Sequence, residues 1–556
     1  MTYWCLTRRS ACRFVRGLRG RLHLANLTGK PRSFSSSWKS ADHVDRHCEG
    51  AARPEERDGY PEVRSFRDLQ GRLPQVFQSF STPEAPRTVL IVPSLSLDQE
   101  VLAKISGVHH YEERMLCLLL LLRLPRTRVI YVSGQPIPEP IIDYYLHLLP
   151  GIPAQHAKGR LTLLSCYDGS PVALTAKMLV RPRLLQRIRE AISDPASAYM
   201  TCFNVTELER TLALEFNLPI YGCDPDLLPW GSKSGSRRIF REAGIAIPEG
   251  SENLYGAEAV ADALVELRAR RPDIRRVVVK LNEGFSGEGN AIFKFDGAPE
   301  GSELRAWVQD QLPHLAFEAK DMTWDLFAEK LAGMGGIVEE FLEAKVKRSP
   351  SVQFRVDPLG ELEPVSTHDQ VLGGDSGQVF LGARFPADDS YRLEIQERGL
   401  KAARVLAQKG VLGRFAIDFL SVKQGEEWQH FAIEINLRKG GTTHPFMMLE
   451  FLTNGHYDPG TGLFLTPTGQ PCYYYASDNL EAKQYWGLTP SDLIDIAAVN
   501  GLHFDGAYQQ GVVFHLIGAL SEFGKLGVVC IAPSHERAEA LYRRATEVLD
   551  KESGAA

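Results

Sequence analysis

From Arg87 to Asn217 the chain alternates short apolar runs with amphipathic segments, and this alternation constrains the fold more than any other feature. "TVLIVPSLS", "TRVIYVSG", "RLTLLSCYDG" and "AYMTCFNV" suit buried strands. Between them lie a helical stretch over 112–122 and the segments "PIIDYYLHLL" and "PRLLQRIREAI". Leu184, Leu185, Ile188 and Ile192 share one face of the last. "TELERTLALEFN" opens with Thr206 and Glu209 at capping-box spacing. Strands that alternate with helices predict a parallel sheet with helices on its faces. No GxGxxG follows the first strand, so a dinucleotide site is not indicated.

The texture changes near Pro229–Ser232. "SKSGSRRIFREAGIAIPEG" predicts a helix that starts after Ser232 and closes at Gly244. Then come short strands, "RRVVVK", "NAIFKF", "GGIVEEFLEA", "SVQFRV", "ELEPVSTHDQ", "GRFAIDFLSV" and "WQHFAIEINL", mostly joined by short turns. That pattern predicts an α+β region rich in antiparallel sheet. A Gly/Pro/Tyr-rich connection follows about Gly455, and "GVVFHLIGAL", "LGVVCIAP" and "SHERAEALYRRATEVLDK" predict a small α/β unit at the end. The expected division is 1–60 as an extension, 61–228, 229–455 and 456–556 as structured parts.

Composition excludes several classes. With 556 residues the chain is long enough for several domains. The most apolar run, "MLCLLLLLRL" at 115–124, is shorter than the ~18 residues of a membrane helix, so a buried helix is expected and a membrane span is not. Nine cysteines are scattered singly with no CxxC pair, which excludes a zinc knuckle and a disulfide framework and fits a reducing compartment. Net charge is −6, yet residues 1–41 hold nine basic side chains and no acid, leaving −15 for the rest. An acidic body argues against nucleic acid as a partner. The basic start, with apolar residues at helical spacing before "SFSSSW", has the composition of a mitochondrial transit peptide, and a plain N-terminal extension is the competing reading. A cytoplasmic location goes with the second reading and a mitochondrial one with the first.

Three motifs carry chemistry. "KLNEGFSGEGN" (280–290) places Lys280 at a strand end before Gly284, Gly287 and Gly289. A Walker A loop runs from strand to helix and ends GK[ST]. This loop runs from strand to strand with its lysine first, so it is neither that loop nor a Rossmann loop. Its glycines can turn backbone N–H groups toward an anion. A Gly-rich hairpin with a surface lysine is the competing reading. The second motif joins "AIDFL" (416–420) to "FAIEINLRKGGTTHP" (431–445) on neighbouring strands. Glu434, Asn436 and Arg438 alternate onto one face, and Asp418 can join them from the adjacent strand. Two carboxylates and an amide oxygen make a hard-oxygen Mg²⁺ site, and Arg438 suits a carboxylate or phosphoryl group. Acids paired with arginines on a solvated face are the alternative. The third is "IVEEFLEAK" (337–345), an apolar strand that acquires Glu339 and Glu340 before Phe341, Leu342 and Glu343. It is either a nucleotide edge or an exposed edge strand.

The order Lys233, Lys280, glycine loop, "VEEFLE", Asp418 and "EINLR…HP" resembles the ATP-grasp superfamily over about 229–455. "QVLGGDSGQVFLGARFPA" and "FAIDFL" narrow the likeness to peptide ligases of the pheganomycin type, carboxylate–amine ligases. They are also similar to the related domain of animal IQ-motif proteins, although no complete IQ motif is present. The resemblance implies an ATP-grasp fold, two α+β subdomains enclosing ATP, preceded by a Rossmann-like parallel α/β domain. It also implies ATP phosphates on Lys233 and Lys280, and backbone around Gly284, Phe285, Ser286, Gly287 and Gly289 closing over them. Adenine and ribose would lie at Glu339, Glu340, Phe341, Leu342 and Glu343. Asp418, Glu434 and Asn436 would hold Mg²⁺, or Mn²⁺ as the other candidate ion, and Arg438, with Lys280, would serve the reaction. Asp418 stands where many relatives have Glu, which departs from the pattern but keeps a metal ligand. The expected substrates are ATP, a small carboxylate and an amine, the expected assembly a homodimer. An ATP-binding regulator without turnover and a ligase with a non-amine acceptor are the competing functions. Gln370, Asp375, Gln378 and Arg384 are candidates for substrate recognition, His444 for the pocket wall. Glu283 and Glu288 are expected to point away from the nucleotide.

Overall fold

The computed structural model describes residues 61–97, 99–284, 289–373 and 379–554. The N-terminal extension, Phe285, Ser286, Gly287, Glu288, Asp375 and Gln378 lie outside the described residues.

Strands β1 (Arg87–Val92), β2 (Thr127–Ser133), β3 (Leu161–Ser165) and β4 (Ala198–Cys202) form a parallel sheet in the order β3-β2-β1-β4. Side chains alternate between its two faces. Val89, Ile91, Val129 and Tyr131 therefore enter one core, and Leu90, Val92, Ile130 and Val132 another. Burial on both faces is why these strands read as continuous apolar runs. The capping box at Thr206 forms as expected and starts the Glu207–Phe216 helix.

The leucine-rich run is helical and buried, but it starts earlier than expected and winds more tightly, as a 3-10 helix over Val108–Arg123. Three residues per turn stack Met115, Leu118 and Leu121 in one stripe. Neighbours surround it, with β2 and the Glu139–His147 and Thr443–Thr453 helices against it, and every residue from Met115 to Leu122 is buried. A run with no solvated face shows no amphipathic period, so its winding could not be read from pattern.

Glu112 is buried at the start of this helix and accepts a hydrogen bond from the Gly134 N–H. Burial pushes its carboxyl up to about 8 from 4.5, against the Gly134 bond and the Lys177 charge. The folded chain thus holds a proton there that the unfolded chain releases, so stability falls as pH rises from about 4.5 through 8. Glu112→Gln is expected to flatten the decline of Tm between pH 6 and 9, and an unchanged slope would show that Glu112 does not drive it.

A second sheet is antiparallel: β5 (Gly250–Leu254), β6 (Arg276–Leu281), β7 (Asn290–Lys294), β8 (Ala316–Phe317) and β9 (Gly336–Glu340), in the order β5-β9-β6-β7-β8. Val277, Val279, Leu281 and Val338 face a core under the Gly256–Arg270 and Trp324–Met334 helices. Alternation sends Lys280 and Glu339 to the opposite face.

The third sheet comprises β10 (Lys347–Arg348), β11 (Pro350–Val356), β12 (Leu362–Gly373), β13 (Val379–Phe385), β14 (Gly413–Gln424), β15 (Glu427–Asn436), β16 (His456–Asp458), β17 (Leu463–Leu465), β18 (Pro471–Glu481), β19 (Gly511–His515) and β20 (Lys525–Ala532). Its order is β10-β14-β11-β12-β13-β18-β17-β16, with β15 on β14 and β20 joining β18 to β19. The C-terminal α/β unit thus continues the central sheet, since β13 pairs with β18. The Lys233–Glu242 and Arg392–Gln408 helices cover one face, burying Val352, Phe354, Phe415, Ile417 and Phe419. Arg414, Ala416 and Asp418 consequently lie on the other. Among the described residues no helix is long and apolar enough to cross a membrane.

Candidate functional site

Asp418 and Glu434 are direct neighbours across the β14–β15 pair, and Asn436 faces Ala416 one step along. A bulge after Asp418 resets the register beyond it. Asn436 Nδ2 donates to Asp418 Oδ2 at 3.0 Å, so the expected trio meets on one patch. Burial, then the Glu434 charge, pushes Asp418 up to about 6. Burial would raise Glu434 too, but Lys233 beside it, with Lys280 and Arg438, brings its carboxyl below the usual range. Arg438 lies half-buried beside these acids, and burial lowers its pKa.

Lys233 opens the Lys233–Glu242 helix, whose N-cap Ser232 accepts a hydrogen bond from the Gly235 N–H. Lys233 Nζ lies 2.6 Å from Glu434 Oε1. The acid patch therefore already holds a cation, and its donors are hard oxygens in a buried setting. Both facts fit a divalent ion such as Mg²⁺.

Lys280, at the end of β6, pairs with Glu339 on β9, which is 3% exposed and also within 3.4 Å of Arg237 Nη1. Glu340 points to the opposite face, where its carboxylate meets Arg271 at 3.0 Å and accepts from the Glu249 N–H. It is therefore turned away from Lys280. The Glu340 and Phe341 N–H groups are bonded to Glu249 O at 2.8 Å and Arg276 O at 3.2 Å. Glu343 makes a bidentate pair with Arg276, which stacks 4.1 Å over the Phe341 ring. Leu342 follows the strand as irregular chain. Gly284 and Gly289 face each other across the loop neck, a Cβ on Gly284 coming 3.3 Å from Gly289 N, and Glu283 is exposed.

Sequence reasoning passed over Asn282, the residue that joins loop to helix. Its Oδ1 accepts from the Ser234 N–H and Oγ at 3.0 and 2.6 Å, its Nδ2 donates to Met334 O at 2.8 Å, and its carbonyl accepts from the Lys233 N–H. One amide thus fixes both lysine-bearing elements. An asparagine beside a glycine loop reads as turn chemistry, and nothing local points to partners 48 residues away. Asn282→Ala strands buried groups and is expected to cost about 1–3 kcal/mol, read by denaturant unfolding, and to raise KM for ATP. A change in neither would remove Asn282 as the joint.

The other candidates separate. Gln370 lies on β12, its N–H bonded to Ser349 O. Arg384 pairs with Glu539 of the C-terminal helix at 3.0 Å, so it does not join the cluster. His444 is buried, bonds Arg114 O through Nδ1 at 2.9 Å, and stacks against His515. Burial lowers it to about 4, so it is neutral, and it lines a small cavity together with Arg114.

Comparison with known proteins agrees with this geometry. The family model described as "IQCH-like, ATP-grasp" matches residues 228–298 and 301–460, and "PGM1 C-terminal domain" matches 492–545. The biotin carboxylase domain of 2-oxoglutarate carboxylase from Hydrogenobacter thermophilus, solved with MgADP, ADP and bicarbonate, superposes with a TM-score of 0.50 at 13% identity. It covers 83% of this chain and 89% of its own, a likeness of fold. Residues 228–460 therefore match an ATP-grasp domain, and a parallel α/β sheet precedes it in the chain. Within that class it resembles the pheganomycin-type peptide ligases. It is 29% identical over 481 residues to L-propargylglycine--L-glutamate ligase of Streptantibioticus cattleyicolor, covering 85% of this chain and 96% of that protein. It is also 23% identical over 526 residues to IQ motif-containing protein H of Danio rerio, covering 85% of this chain and 49% of that longer protein.

Proposed function

We propose that this protein is an ATP-dependent carboxylate–amine ligase that forms an amide or peptide bond and releases ADP and phosphate. The observation that carries the reading is the convergence of Asp418, Glu434 and Asn436 with Lys233 and Arg438 on one half-buried patch. Lys233 and Lys280 leave their carboxylate partners for the ATP phosphates, and the backbone at Gly284–Gly289 closes over them. Glu343 and Leu342 remain the hinge candidates for ribose and base. Asp418, Glu434 and Asn436 would hold Mg²⁺, with Mn²⁺ as the alternative, which when bound neutralises phosphate charge.

Arg438 orients the substrate carboxylate. A carboxylate oxygen attacks the γ-phosphorus, the bond to the β–γ bridging oxygen breaks, and ADP leaves. The amine then attacks the acyl carbon, loses a proton, and expels phosphate. Positioning and charge neutralisation carry such a reaction without a protein nucleophile. The native assembly is proposed to be a homodimer, which light scattering tests.

The test is ADP release from ATP with pooled amino acids and peptides, with mass spectrometry of the products. Expected are substrate-stimulated ADP and a product equal to acid plus amine less one water. Folded protein that binds ATP without releasing ADP would mark a regulator. A thioester or phosphate ester product would mark a different acceptor.

A further inference from the structure

Two cavities lie beside the chain that follows Arg438 and share Leu118, Lys439 and Met447. The larger, about 50 Å³, has room for a group the size of a carboxylate. Arg355 on β11 and Arg414 on β14 are cross-strand partners in its wall, and Lys439 completes it. No acid lines either cavity among the described residues. Arg414 is only 9% exposed, and its Nη1 is buried with no hydrogen-bond partner, as is Arg355 Nε.

Counter-charge is short. Arg355 pairs with half-exposed Glu363, and against burial its pKa is raised by Tyr221, Glu363 and Asp357, so the shortage falls on Arg414 and Lys439. Arg414 reaches Glu450 through Nη2 at 3.5 Å, a long contact, and burial pushes the Glu450 carboxyl up. Burial, then the Arg355 charge, pushes Arg414 down to about 10. Lys439 spends bonds on Thr201 Oγ1 and Cys202 O, which tie it to the parallel sheet. A buried cluster of cations that keeps unused donors is costly unless an anion completes it.

The position relates this recess to the reaction. Asn436 stands opposite Ala416, so the chain two residues on, at Arg438, runs toward Arg414 of the neighbouring strand, and Lys439 beside it lines the recess. Arg114, which lines the smaller cavity, acts electrostatically on Arg438.

We propose that this recess is an anion subsite for a second carboxylate of the substrate, so that the acids taken by the ligase are dicarboxylates or acidic peptides. The inference rests on the ligase reading for its role, though not for the binding itself. Two guanidinium edges side by side match the planar, two-oxygen fork of a carboxylate.

Calorimetric titration of the full chain with glutarate, butyrate and inorganic phosphate tests it. Glutarate is expected to bind at least ~10-fold more tightly than butyrate, because the recess leaves donors unpaired when the second carboxylate is missing. Arg414→Gln is expected to erase that preference. Should Arg414→Gln not fold, as circular dichroism would show, Arg355→Gln carries the same expectation. Equal binding of glutarate and butyrate, a preference that survives in the folded variants, or phosphate binding as tight as that of glutarate and lost with it in Arg414→Gln would each overturn the proposal. A glutarate preference lost in Arg414→Gln, with no ADP release from any acid, would sink the ligase and keep the subsite. ADP release with monocarboxylates and no glutarate preference would do the reverse.

Discussion

Glu434→Gln is expected to lower substrate-stimulated ADP formation by roughly 10²–10³-fold or more, the scale of deleting one charge-stabilising group from a reacting centre. The substitution keeps volume and hydrogen-bonding capacity, so folding should survive. What disappears is the charge that Lys233, Lys280 and Arg438 hold ionised. Lys233, 2.6 Å away, then loses its anion, and the patch loses one of its two carboxylates. Two defects follow from one atom exchange: a weaker divalent-ion site and a lysine with nothing to hold it before ATP arrives. The measurements are ADP release at saturating ATP and magnesium, and Tm to establish that the fold persists. Parent-like turnover from folded Glu434→Gln would remove Glu434 from the reaction.

The site was legible where one strand wrote it. Glu434, Asn436 and Arg438 share a face because a strand has period two, and that needs no knowledge of the fold. Asp418 was legible as well, because a hairpin of two apolar strands brings it opposite. The parallel sheet was legible because strands buried on both faces keep continuous apolar runs. What was hidden depends on partners far apart in sequence. Lys280 pairs with Glu339 only because β6 and β9 are neighbours in their sheet. Arg384 reads as a pocket residue until β13 is set beside β18 and the C-terminal helix supplies Glu539. Arg355 and Arg414 look like ordinary surface cations, since no local pattern shows that two sheets close around them. Asn282 and the tight winding of Val108–Arg123 belong with these, both set by tertiary neighbours.

Gly235→Ala is the second large effect, and it tests how rigidly Lys233 is delivered. In "SKSGS" the glycine sits in the first turn of the Lys233–Glu242 helix, where a substituent would ordinarily be harmless. Here the chain just before the helix folds back onto it. A Cβ on Gly235 would stand 1.9 Å from Pro229 O and 2.8 Å from Trp230 Cα. Both obstacles are backbone, so no rotamer change relieves the contact. Either the 3-10 turn Pro225–Gly231 moves out or the helix start tilts. A tilt drags Lys233 from Glu434 and Ser234 from Asn282, two bonds that hold the lysine-bearing end of the candidate site. Overpacking typically costs about 1–3 kcal/mol, and a contact with rigid backbone puts this case at the upper end. Gly235→Ala is therefore expected to lower Tm markedly and, in the protein that still folds, to raise KM for ATP about tenfold or more, since misplacing a binding group by an ångström is costly. Gly235→Ala with parent-like Tm and KM would mean that the turn yields freely, and that Lys233 owes its position to Glu434 alone.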